Sequence, residues 1–233
     1  MPSLLQRYSL QCRKIKSLEN KHQLDERSVR LIAVSKTRSS EEIACLYRAG
    51  QQDFGENYLQ DALPKQRALT HLAIYWHFIG PIQSNKTRDV ARYFQWVHSV
   101  ERLKIAQRLA QQRPSFLPKL NICLQVNVDE ESRKSGFLID ELEEVIEPIL
   151  SLKGLKLRGL MAIPRATSKI DEQRKSFRRL AAAKSQINAK FGLQLDTLSM
   201  GMSSDLSSAI AEGATMVRVG TAIFGQRQKS VQK

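Results

Sequence analysis

Disulfide bonding, metal ligation and membrane insertion all lack material in this chain of 233 residues. Its three cysteines, Cys12, Cys45 and Cys123, are widely separated, with no C-x-x-C pair and no histidine beside them at metal-ligand spacing. A disulfide framework and a zinc site are therefore not expected, and reduced thiols fit a cytoplasmic setting. No stretch approaches the about 18 consecutive apolar residues of a membrane helix. Gln6, Arg7, Arg13, Lys14 and Lys16 interrupt the region where a secretory signal would carry its apolar segment. Eleven glycines and seven prolines are too few for a collagen-like or low-complexity chain. Acidic residues are in deficit, 23 against 37 Lys plus Arg, which leaves a formal net charge of +14. That surplus brings polyanions into consideration. The basic residues are nevertheless scattered along helical patterns (Arg102, Lys104, Arg108, Arg113; Arg174, Lys175, Arg178, Arg179, Lys184), as solvated faces are, which weighs against a nucleic-acid partner.

What is present is a globular composition, 42% hydrophobic and 26% charged, arranged as short apolar runs alternating with longer helical patterns. Strands are expected at 30–35, 52–55, 74–79, 96–99, 120–128, 156–161, 197–200 and 215–219. Helices are expected at 40–49, 101–112 (with Ser99 as N-cap), 139–150, 172–191 and 205–212. Eight units in a chain of this length average roughly 29 residues, close to a βαβ element, and the total is near the ~250 residues of a (β/α)8 TIM barrel. The expectation is one such domain over residues 1–233. An extra N-terminal helix over 4–24 would present Leu4, Leu5, Tyr8, Cys12, Ile15 and Leu18 to it. A doubly wound open sheet is the competing architecture; the first strand, however, runs into Ser35-Lys36-Thr37-Arg38-Ser39, not into dinucleotide-binding glycines.

In a barrel, chemistry gathers at the C-terminal strand ends. Here these carry Lys36, Glu56 and Asn57, His77 and Gly80, His98 and Ser99, Asn127, the run from Ser199 to Ser204, and Arg218-Val219-Gly220-Thr221. Alternation puts Ile32, Val34 and Lys36 on one face. A lysine at the rim of an apolar well is favoured as the neutral amine and suits Schiff-base formation, whereas one that simply reaches water does not. Ser203 and Ser204 precede a helical stretch that either can cap, and Gly220-Thr221 offers close backbone approach and a hydroxyl, the parts of a phosphate cradle after strands seven and eight. Together, a strand-one amine and a strand-seven and strand-eight cradle describe pyridoxal phosphate better than either does alone.

The segments Ala33-Val34-Ser35-Lys36-Thr37, Phe54-Gly55-Glu56-Asn57-Tyr58 and Trp76 to Lys86 resemble the pyridoxal phosphate homeostasis protein family (the YggS/PROSC family). Gly159 to Ile163, Ser199 to Ser203 and Val217 to Gly225 match it in the same order. The resemblance implies a barrel like the N-terminal domain of alanine racemase, with pyridoxal 5'-phosphate held on Lys36 as an internal aldimine. It implies that Ser203, Gly220 and Thr221 hold the phosphate and that Arg218 faces the pyridine nitrogen, with reach to the phosphate as the alternative. It further implies that Asn57 and His77 line the ring, with Ser199 and Met200 as wall residues. The variable parts are the N-terminal helix and the basic tail 226–233.

The resemblance also implies a carrier in cofactor homeostasis, without established turnover, that serves apo-enzymes. The chain ends eight residues after Gly225, where racemases of this fold add a β-domain that closes the site and brings a second base. The expectation is therefore a monomer without a complete racemase site. A weak racemase-like enzyme and a basic nucleic-acid binder are the alternatives.

Overall fold

Runs such as Leu31-Ile32-Ala33-Val34 are too short for a buried helix and rich in side chains that pack well on a pleated surface, so each extends as a strand. The computed structural model describes residues 2–226. Among them eight parallel strands close into one barrel in chain order. They are β1 (Arg30–Val34), β2 (Asp53–Glu56), β3 (Tyr75–Phe78), β4 (Trp96–Val100), β5 (Leu120–Gln125), β6 (Leu155–Met161), β7 (Thr197–Ser199) and β8 (Met216–Val219). Around them lie α1 (Leu4–Lys21), α2 (Ser40–Arg48), α3 (Leu59–Ala68), α4 (Thr87–Tyr93), α5 (Leu103–Gln112), α6 (Leu142–Leu150), α7 (Ile170–Phe191), α8 (Leu206–Ala211) and α9 (Thr221–Phe224). This is the (β/α)8 barrel and not the open sheet. Pairing of β1 with β8 closes it and sets Ile32 opposite Arg218.

Closure makes two separate cores. One fills the layer between sheet and helices, with Phe54, Trp76, Phe78, Phe94, Leu109 and Phe177 among its larger members. The other lies inside the barrel and consists of Ile32, Trp96, Cys123, Met161 and Met216. Burial pushes the Cys123 thiol up to about 12, so it stays an inert apolar filler.

Several local expectations change. Strand five stops at Gln125, because Asn127 turns the chain by accepting from the Glu131 N–H and donating to its carbonyl. Ser99 does not cap α5: its hydroxyl donates to the Gly80 carbonyl, and Arg102 occupies the cap position. Neither Ser203 nor Ser204 caps α8, since Asp205 holds that place and turns its own carboxylate back to accept from the Met202 N–H. Helix α1 has a capping box between Ser3 and Gln6 and buries Ile15 and Leu18, while Leu5 stays exposed. Its Arg7 donates to the carbonyls of Ile223 and Phe224, fixing α9 at the exit of β8. Most of the basic tail, 227–233, lies outside the described residues. Among the described residues no helix is long and apolar enough to cross a membrane.

Gly159 pairs with Thr197 where β6 meets β7, and an added methyl there would overlap the Thr197 carbonyl oxygen. Gly159→Ala is expected to cost about 2 kcal/mol or more. An unchanged urea midpoint would contradict so tight a strand contact.

Candidate functional site

Side chains alternate across a strand, so one parity of each strand points into the barrel. Inward positions include Ile32 and Val34, Gly55, His77, Trp96 and His98, Ser199, and Met216 and Arg218. Lys36 and Asn57 continue two of these rows past the strand ends. The rows converge on a cavity of about 330 Å³ whose lining includes Val34, Lys36, Arg38, Asn57, Ile163, Met202, Ser203, Ser204, Arg218, Gly220 and Thr221. That volume lies within the about 300–1,000 Å³ of small-molecule sites. A larger depression of about 800 Å³ adjoins it across Met202 and Ser204. What singles out the smaller one is its place at the C-terminal strand ends, where the inward rows of β1, β2 and β8 meet.

The presentation of Lys36 is built from below. The Ser35 carbonyl accepts from the Arg38 N–H, which makes 35–38 a turn with Lys36 at its second position. The third residue, Thr37, has φ +64°, a left-handed conformation that a β-branched residue adopts only under constraint. The constraint is a buried ion pair. Lys65 of α3 donates to the Ser35 carbonyl at 2.8 Å and to Glu56 at 2.9 Å, and the Ser35 hydroxyl donates to the same carboxylate at 2.6 Å. Glu56 thus faces α3 rather than the cavity, and burial raises its pKa although Lys65 opposes the shift. On the other side of the turn, Arg38 donates to the Gly225 carbonyl and stacks on Phe224.

Of the expected site residues, Lys36, Asn57, Ser203, Arg218, Gly220 and Thr221 all line the one cavity. Three others do not. Met200 is fully buried in the layer between sheet and helices. Ser199 and His77 lie beneath the cavity, inside the barrel, with no exposed surface. Sequence reasoning missed Arg38, Met202 and Ile163 as lining residues, and the Glu56–Lys65 pair beneath Lys36.

Beneath the cavity runs a chain of hydrogen bonds. An Arg218 terminal nitrogen donates to the Ser199 hydroxyl at 2.7 Å and to the Ser199 carbonyl, and its other terminal nitrogen donates to the Ala162 carbonyl. Ser199 Oγ lies 2.7 Å from His98 Nδ1, His98 Nε2 lies 2.9 Å from His77 Nδ1, and His77 Nε2 lies 2.9 Å from Asp53 Oδ1. Burial lowers both histidine pKa values, that of His98 well below its usual range with further push from His77 and Arg218. Burial also brings Arg218 down to about 10, which leaves it charged at neutral pH.

Residues 13–228 match the family model described as alanine racemase, N-terminal domain. The chain is 56% identical over 203 residues to a pyridoxal phosphate homeostasis protein of Pseudomonas aeruginosa, covering 87% of this chain and 86% of that protein. The chain belongs to the pyridoxal phosphate homeostasis protein family. The Escherichia coli K12 family member is 47% identical over 205 residues, 87% of each chain. Among solved structures, PipY of Synechococcus elongatus with PLP bound is similar at TM-score 0.81 and 37% identity, covering 92% of this chain and 99% of that one. A Clostridium difficile alanine racemase matches at TM-score 0.73 and 15% identity over 93% of this chain and 56% of its own, a likeness of fold alone.

Two outcomes test this geometry. Lys65→Met leaves Glu56 buried without its partner and should destabilise by about 3–5 kcal/mol, with much of the loss restored in Glu56→Gln/Lys65→Met. Equal losses in single and double variants would contradict the pairing. For His77 and His98 the native pKa is depressed, so the unfolded chain binds more protons below about 6.5. Their stabilisation is complete above that pH. It falls as pH drops below about 6.5 toward the depressed native values, by up to about 1.4 kcal/mol per unit for each histidine. Urea unfolding at pH 5.5 and 7.5 should show that fall, reduced in His98→Gln; an equal fall in that variant would contradict the assignment.

Proposed function

We propose that this protein binds pyridoxal 5'-phosphate in the cavity at the C-terminal end of the barrel, serves intracellular cofactor homeostasis, and releases the cofactor to apo-enzymes. The observation that carries the reading is the convergence of Lys36, Asn57, Arg218, the Ser203, Ser204 and Thr221 hydroxyls and Gly220 on one cavity. The residues fit the group. Asn57 Oδ1 is buried without a hydrogen-bond partner, as an acceptor reserved for a ligand donor would be. Gly220 lines the same cavity, and without a side chain its backbone allows close approach. The names of the curated relatives and the bound PLP of PipY support the same ligand.

When bound, pyridoxal phosphate supplies an aldehyde that exchanges between amines and a ring that withdraws electrons. Lys36 would hold that aldehyde, and the serine and threonine hydroxyls with the Gly220 backbone would hold the phosphate. Arg218 is a donor only, so facing the ring nitrogen it would leave that nitrogen unprotonated and the ring a weaker electron sink. Among the described residues, the cavity lining contains no carboxylate, imidazole, thiol or phenol. A lining without those groups favours binding and exchange over proton transfer at carbon.

Borohydride treatment of the cofactor-loaded protein should fix the adduct on the Lys36 peptide alone, as read by intact mass and peptide mapping. Lys36→Ala should show none. An adduct unaffected by that substitution, or no uptake by the wild-type protein, would contradict the reading.

A further inference from the structure

We propose that Asp53, His77, His98 and Ser199 are positioning residues that form a single directed chain of hydrogen bonds, orienting Arg218 toward the cofactor and carrying the countercharge of Asp53 to it. This rests on the pyridoxal phosphate reading for its consequence but not for its geometry.

The direction follows from donor and acceptor capacity. Arg218 can only donate, so Ser199 Oγ accepts from it and has its own proton to give. At the far end the Asp53 carboxylate can only accept, and it takes the Nε2–H of His77. His77, neutral through burial, then has a bare Nδ1, which must accept the Nε2–H of His98. His98, likewise neutral, has a bare Nδ1 that accepts the Ser199 hydroxyl proton. One arrangement satisfies every member: Arg218 to Ser199 to His98 to His77 to Asp53. Both histidines are Nε2–H tautomers.

The chain spans the barrel. Asp53 stands at the start of β2, beside Arg30 at 3.5 Å, and lines a separate cavity of about 560 Å³ under α1. Arg218 lines the cavity at the opposite strand ends. Stacking of His77 on Trp96, 15° from parallel, fixes the His77 ring plane between them. Hydrogen bonds in series polarise one another where the dielectric is low, so the carboxylate at one end strengthens the hold on the guanidinium at the other. No bond joins Asp53 to Ser199 directly; their influence on Arg218 is coupled only if the chain transmits it.

The test is a double-mutant cycle on cofactor affinity, read by absorbance titration with pyridoxal phosphate, together with nitrogen-15 ring shifts of the histidines in the unloaded protein. Asp53→Asn and Ser199→Ala should each weaken binding by about fivefold to tenfold, with Glu144→Gln, on exposed α6 surface, as the unchanged control. The double variant should lose no more than either single one, because each cuts the same chain. The ring shifts should report both histidines as Nε2–H tautomers at pH 7. Multiplying losses, single variants that bind as tightly as wild type, or an Nδ1–H or doubly protonated ring would overturn the proposal. Failure of the wild-type protein to take up pyridoxal phosphate would instead count against the functional reading, and the ring shifts would still decide the chain.

Discussion

A guanidinium that stays charged at neutral pH cannot be buried without acceptors, and Arg218, only 4% exposed, sits inside a closed barrel. That requirement organises the interior. Apolar filling by Ile32, Trp96, Cys123, Met161 and Met216 occupies one part of the lumen, and the Ser199–His98–His77–Asp53 chain runs through the rest. The backbone carbonyls of Ser199 and Ala162 take two more of its five N–H donors. The floor of the cavity is thus a positively charged group whose surroundings are fixed on the protein side before any ligand arrives.

The Lys36 side of the cavity is prepared by a different device. Lys36 occupies a turn that its neighbour Thr37 enters in a left-handed conformation, and the buried Glu56–Lys65 pair pins the Ser35 carbonyl that begins it. Such a pair adds little net stability, but removing either partner is severe, so its value is geometric: it fixes where the Lys36 side chain leaves the backbone. Arg38 locks the other flank to Phe224 and Gly225, joining the exits of β1 and β8. Preorganisation on both sides lowers the ordering cost of binding a ligand there.

Much of this was legible from residue order. Alternation along Ile32, Val34 and Lys36 gave the inward face of β1, and the Ser203–Ser204 and Gly220-Thr221 segments lie at the same rim. Alternation also contained a correction that the sequence reading passed over. Ser199 and Met200 are adjacent and cannot both face the lumen; Ser199 does, and Met200 packs outward in the layer core. His77 shares its parity with the cavity-facing rows but lies inside the barrel, fully buried between Asp53 and His98. The Lys65 contact was hidden for a different reason. It depends on where α3 docks, and α3 carries Pro64 in its interior and a weak amphipathic pattern, so no local signal announced that lysine as a partner for Glu56. Cap assignments at Ser99 and Ser203 failed because each helix begins further along the chain, with Arg102 and Asp205 at the cap positions, and the Ser99 hydroxyl donates to the Gly80 carbonyl instead.

The central claim is that the amine after β1 and the anion cradle after β7 and β8 meet in one cavity at the C-terminal strand ends, with the buried arginine as its floor. A crystal structure of the protein soaked with pyridoxal 5'-phosphate tests it most directly. The account predicts density continuous from Lys36 Nζ, the phosphate between Ser203–Ser204 and Gly220-Thr221, and the ring nitrogen facing Arg218. Cofactor density elsewhere on the barrel, or with the phosphate against Arg218 and the ring nitrogen turned to solvent, would contradict it.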